Sequence, residues 1–185
     1  YNASISHYSG WHAEDENFDL RFLPEKYDQT NVPFDIRGII QLNSGVYPSG
    51  QTMNDFGAIT VYNNEYPDAV KNIKVNSKAK KIHFLTGLIF KNSICNGETA
   101  ANLIIHFEDG TSTTKPLVVN KDVFNWWSVS YAEDGTIKPE NIGFLGENYL
   151  GNKRILTKPI WENPKPEKII THIDFVSGKV AAGPF

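Results

Sequence analysis

The stretch ANLIIHFEDGTSTTKPLVV, residues 101–119, decides the fold. Leu103, Ile105 and Phe107 alternate with Asn102, Ile104 and His106, which is the two-residue period of a strand that shows one side chain to each face in turn. Asp109-Gly110 follows and marks a tight hairpin turn, because Gly accepts a positive φ at no steric cost. A second β-rich run, 112–119, completes an antiparallel pair. Outward from this hairpin the same pattern repeats. Runs rich in Val, Ile, Phe, Thr and Tyr, separated by Gly, Pro, Asn and Asp, predict strands near 35–42, 57–62, 69–75, 80–89, 124–130, 141–146, 153–161 and 168–177. In the last of these Ile169, Thr171, Ile173 and Phe175 oppose Ile170, His172, Asp174 and Val176, a mixed pattern that leaves the inward face open. No segment carries a 3.6-residue apolar period over three turns, so long helices are not expected.

Many short strands at this spacing imply an all-β sandwich or barrel. A chain of 185 residues suits one domain, 1–185, able to bury a core without staples. The longest irregular stretch, 1–34, is too short for a core of its own and is expected to wrap over the sandwich. Hydrophobic residues at 40% and charged residues at 21% exclude a disordered chain, and a net charge of −3 argues against a nucleic-acid partner. No apolar run approaches the ~18 residues that span a bilayer. The first residue, Tyr1, is not Met, as expected of an excised or processed segment. Cys95 is the sole cysteine, so no disulfide can form within the chain.

Several segments in series resemble the galactose-binding-domain-like (jelly-roll) β-sandwich modules of bacterial multi-domain carbohydrate-active proteins. They are Gly10-Trp11, Asp19-Leu20, Leu23-Pro24, Val32 to Ile36, Ala79 to Leu85, Phe107 to Thr111, Trp126-Trp127, Trp161 to Pro166 and Ile173 to Ser177. The resemblance implies a two-sheet antiparallel jelly roll. It also implies a non-catalytic accessory module that binds a poly- or oligosaccharide beside neighbouring domains of a secreted, periplasmic or cell-surface protein. It further implies a last apolar strand after the segment Ala181 to Phe185.

Sugar recognition needs an aromatic face for the C–H side of a pyranose and polar side chains for its hydroxyls. Trp126-Trp127 is the leading aromatic candidate. Adjacent strand residues point to opposite faces, so one ring enters the core and the other meets solvent or a loop; packing roles for both stay open. Trp11, in a loop after Gly10, is a further candidate, while Trp161 reads as a core anchor. Gly146 to Arg154 offers Glu147, Asn148, Tyr149 and Arg154 within nine residues, and such a loop can clamp hydroxyls, with Arg154 as a bidentate fork. Asp15, Asp19 and Asp35 are candidate ligands for a structural Ca²⁺, a cation that favours hard oxygen donors; no other cofactor is expected. His83, His106 and His172 fall on predicted strands without H-x-H or H-E-x-x-H spacing, so they predict no metal site. No G-x-S-x-G, P-loop or G-x-G-x-x-G is present, and no enzyme is expected. Two rivals remain: a structural or protein-interaction domain, and a small jelly-roll polysaccharide-degrading enzyme.

Overall fold

The computed structural model describes Leu20, Leu23 and residues 32–45, 66–89, 95–148 and 150–185. The predicted strand at 57–62, and all of the 1–34 wrapping segment except Leu20, Leu23 and 32–34, lie outside the described residues. Within them the chain is all-β. Its elements are β1 (Ala69–Ser77), β2 (Lys81–His83), β3 (Leu88–Ile89), β4 (Thr99–Phe107), β5 (Ser112–Val118), the short helix α1 (Ser130–Glu133), β6 (Ile142–Glu147), β7 (Lys153–Thr157), β8 (Ile160–Glu162), β9 (Ile170–Ser177) and β10 (Gly183–Pro184).

The 101–119 hairpin forms as its pattern demands: β4 and β5 pair antiparallel around a turn in which Gly110 has φ of 78°. It belongs to a four-stranded antiparallel sheet in the order β1-β9-β4-β5. Leu103, Ile105 and Phe107 of β4 point inward with Leu117 of β5 and Ile173 and Phe175 of β9. Each such side chain, removed from water, contributes about 1.5–3 kcal/mol. The mixed pattern of β9 has a local cause. Register runs His106 to His172 and then Phe107 to Ile170, so Thr171 is an extra residue, a β-bulge. The bulge resets the phase, which lets Ile170 join Ile173 and Phe175 on the buried side although alternation alone would turn it outward. Thr171 Oγ1 donates to the His106 carbonyl at 3.1 Å and so ties the bulge to its neighbour.

Both sheet edges are blunted against pairing with another chain. β1 is broken by two register shifts at Asn72 and Asn76, which take φ of 59° and 49°, and its exposed positions carry Lys71 and Lys74. On β5, Pro116 removes a backbone donor from the opposite edge.

The inner face of this sheet packs against segments of two short antiparallel ladders, β2·β8 and β3·β10: Leu88, Trp161 and Ala182 share one core cluster with Leu103, Ile105 and Phe107, while the third ladder, β6·β7, contributes Phe144 and Leu156 to a separate cluster with Trp126 and Phe185. Three expected strands differ in detail. The 80–89 run is not continuous: it pairs with β8 through β2, bridges once at Thr86 to Thr157, and then pairs with β10 through β3. Likewise 153–161 splits into β7 and β8 at Lys158-Pro159, where proline cannot donate to a ladder. Residues 35–42 form no strand beyond one bridge at Ile39, while buried Leu42 donates its N–H to the Pro184 carbonyl at 3.0 Å.

The expected strand at 124–130 is corrected to a turn leading into α1. Asn125 Oδ1 accepts the Trp127 N–H at 3.1 Å and the Asn125 carbonyl accepts the Ser128 N–H at 2.8 Å, so the asparagine competes for the backbone and wins.

Two consequences are measurable. A Cβ on Gly178, just after β9, would lie 1.9 Å from the Thr99 carbonyl oxygen, whereas one on Gly110 meets nothing. Gly178→Ala is therefore expected to destabilise by about 3 kcal/mol, at the upper end for overpacking. Gly110→Ala should cost only the left-handed penalty of about 1 kcal/mol. Equal losses in urea denaturation would contradict this packing. The second concerns His83, whose imidazole is held below its ordinary value by burial and then by the Lys158 and Lys81 cations, against an opposing pull from Glu162. The unfolded chain then takes up a proton more readily than the folded one. Stability is intact above about pH 6.5 and falls as pH drops through that value until the folded imidazole also protonates. His83→Gln is expected to flatten the decline in melting temperature between about pH 7 and pH 5; an unchanged slope would remove His83 as its source.

Candidate functional site

The Asn125 turn presents the two neighbouring indoles in opposite senses: Trp126 is sealed, with 0% of its surface exposed, and Trp127 stands 43% exposed. Trp126 packs edge-on against Phe185 at 6.2 Å between ring centroids and edge-on against Trp127 at 5.6 Å. The in-and-out arrangement expected for adjacent strand residues is thus reached through a turn.

Arg154, 1% exposed, supplies the support beneath. Its guanidinium carbon lies 3.3 Å from the Trp127 ring centroid and 4.7 Å from that of Trp126, so a flat cation is shared by both indoles. Stacking of this kind suits arginine, whose delocalised charge is weakly hydrated and whose plane matches the ring. Nη1 also donates to the Lys153 carbonyl at 2.8 Å. The β6–β7 hairpin positions it: Gly146 lies opposite Arg154, and a Cβ on Gly146 would come within 2.7 Å of the Phe144 ring. Glycine therefore keeps that neighbourhood clear.

The same register sets Glu147 opposite Lys153, one residue along and hence on the other face of the hairpin. There Lys153 bonds Glu133 of α1 at 2.9 Å, which, together with the nearby Glu147 charge, raises its pKa above the ordinary lysine value. Val129, Glu133, Leu145, Gly146, Glu147 and Lys153 line a shallow hollow of about 210 Å³. The polar residues of 146–154 are accordingly divided: Arg154 lies under Trp127, and Glu147 lies at the hollow with Lys153. Asn148 is buried, and its Oδ1 accepts the N–H groups of Leu150 at 3.1 Å and Asn152 at 2.9 Å, closing the hairpin turn. Tyr149, Trp11, Asp15 and Asp19 lie outside the described residues. Asp35 is exposed and paired with Arg37 at 2.5 Å; the hydrogen bond from that guanidinium holds its carboxyl below the usual range. Trp161 is 6% exposed, tilted against Phe107 at 6.4 Å, which is the core anchor expected of it.

A second polar group, on the outer face of the four-stranded sheet, has no motif in the sequence. Alternation turns His106, His172 and Asp174 away from the core, and the β4–β9 register sets His106 directly opposite His172. The two imidazoles stack at 4.2 Å with planes 9° apart, and His106 Nε2 lies 3.1 Å from Asp174 Oδ2. Asp174 Oδ1 accepts the Asn72 N–H at 2.8 Å, delivered by the left-handed bulge in β1. Burial alone would raise the Asp174 pKa; the Asn72 N–H and the two imidazoles outweigh it and lower it. The one signal in the sequence was His172-x-Asp174, whose i, i+2 spacing on a strand guarantees a shared face.

Removing the guanidinium tests how far the two indoles depend on it. Arg154→Ala is expected to destabilise by about 2–4 kcal/mol, since it opens a void between two rings. Arg154→Lys should rescue little, because a point charge does not stack. Denaturant melts followed by tryptophan emission, with a red shift as Trp127 loses its support, would report this; full rescue by lysine would show that charge and not stacking matters. No protein-family model, no curated protein and no solved structure matches the chain.

Proposed function

We propose that this chain is a jelly-roll β-sandwich module without catalytic activity, that it tethers a larger secreted or surface protein to a glycan, and that Trp127 is its sugar platform. The observation that carries this reading is an indole 43% exposed yet held from behind by a buried guanidinium. A ring fixed in this way loses little freedom on binding, and binding is limited by such ordering costs. Its exposed surface suits the apolar side of a pyranose, as aromatic side chains do in ligand sites generally. Asn125 and Ser128 flank the ring in the same turn and offer hydrogen-bonding groups for hydroxyls. Tethering of this kind acts by raising the effective concentration of substrate for an attached domain, so a modest affinity suffices.

Leu150 favours a second reading. It is 50% exposed at the tip of the β6–β7 hairpin, and with Trp127 it makes up the large exposed hydrophobics among the described residues. Two such side chains also suit a contact with a neighbouring domain.

Affinity-gel electrophoresis across plant, algal and host polysaccharides separates the two. At least one polysaccharide should retard the wild-type chain, and Trp127→Ala should weaken that retardation about tenfold or more, the ~1.4 kcal/mol of a lost stacking contact. Leu150→Ala should leave it unchanged. Retardation by none, or equal retardation of Trp127→Ala, would discard the glycan reading in favour of a domain interface.

A further inference from the structure

We infer that His106, His172 and Asp174 form a binding site for one first-row divalent cation, Zn²⁺ in the first instance, on the outer face of the four-stranded sheet. Among the described residues these three bring a ligand atom each to within 4.8 Å of one another. Two imidazoles and a carboxylate are the donor set that such cations select over Mg²⁺ or Ca²⁺. The spacing is close to what coordination requires. Bonds of about 2.0–2.2 Å at tetrahedral angles set ligand atoms roughly 3.3 Å apart. His106 Nε2 and Asp174 Oδ2 already stand at 3.1 Å, so only the His172 ring has to swing, out of its stack with His106.

The supporting hydrogen bonds prepare the lone pairs. Thr171 Oγ1 gives its proton to the His106 carbonyl, so at 2.9 Å from His172 Nδ1 it can only accept. Neutral His172 therefore carries its proton on Nδ1 and keeps Nε2 bare, the tautomer a metal needs. The Asn72 N–H occupies Asp174 Oδ1 and leaves Oδ2 as the ligand. At His106 the ring changes tautomer on binding: Nε2 gives up its proton to solvent as Nδ1 takes one up, so the imidazole stays neutral with Nε2 free for the cation, and the Asp174 carboxylate passes from accepting that proton to binding the metal. The site is open on one side, with His106 and Asp174 side chains 28% and 14% exposed, which leaves a fourth position to water. Lys74, exposed on β1, is set opposite His172 by the register, and it works against the ion.

The inference is independent of the glycan reading, and its test does not involve a sugar. Chelator-stripped protein would be titrated with Zn²⁺ against a chromophoric chelator in neutral buffer, and with Co²⁺ for the visible absorption of a tetrahedral ion. One equivalent should bind, unaffected by excess Mg²⁺ or Ca²⁺. His172→Gln and Asp174→Asn should each weaken binding at least tenfold. Thr171→Val, which touches no ligand atom of the cation, should weaken it by roughly tenfold as a positioning residue. Lys74→Ala should strengthen it, and His83→Ala should leave it unchanged. Thermal melts of each variant without metal identify any that fail to fold, in which case the conservative Asp174→Asn decides. No stoichiometric uptake, or uptake retained in the doubly substituted His106→Gln/His172→Gln chain, would overturn the site.

Discussion

Pairing of β4 with β9 is the constraint on which the rest of the molecule depends. β4 is flanked on both sides, by β5 and β9, and its alternation is the cleanest in the chain. Because side chains repeat every two residues, fixing one register fixes both faces at once. Leu103, Ile105 and Phe107 then lie in the core with Leu88, Trp161 and Ala182, and His106 has no choice but to face His172 on the other side. A slip of β4 by one residue would turn His106 inward and expose Leu103, Ile105 and Phe107. The outer polar group is thus inseparable from the core: the same hydrogen-bond register specifies both.

What was legible in the sequence was what depends on neighbours in the chain. The β4–β5 hairpin needed only alternation and Asp109-Gly110, and both are local. The short two-stranded ladders needed contacts that no local pattern shows. Thr86, for instance, exchanges backbone hydrogen bonds with Thr157 at 3.0 and 2.9 Å and donates its hydroxyl to the Phe185 carbonyl at 2.6 Å. These tie together distant runs that read as long strands and form as short ladders. The bulge at Thr171 was equally hidden, since it arises from a mismatch between two strands and not from either one.

The candidate sites divide in the same way. That one of Trp126 and Trp127 would face water follows from adjacency alone, and it holds even though a turn replaces the expected strand. That Arg154 would lie beneath the exposed ring does not follow, because it requires knowing that Gly146 faces it across the hairpin. Reading 146–154 as one polar loop missed that strand alternation continues to its ends and sends Glu147 and Arg154 to opposite faces.

Arginine and histidine have different uses on these two surfaces, and the difference is chemical. A guanidinium cannot lose its proton, so a buried Arg154 is a permanent cation, stacked on the Trp127 ring and hydrogen-bonded to the Lys153 carbonyl. An imidazole has two nitrogens, either of which can hold the proton or offer a lone pair, and at His172 the threonine of the bulge decides which one keeps it. The permanent cation therefore sits beneath the exposed indole, and the exchangeable groups sit on a sheet whose register brings three donor atoms within 4.8 Å of one another. A bulge in β9 and a left-handed turn in β1, both irregularities of the fold, supply the two hydrogen bonds that prepare those donors. Irregular backbone in this sheet is thus concentrated around its polar outer cluster, where β-bulges commonly re-aim side chains.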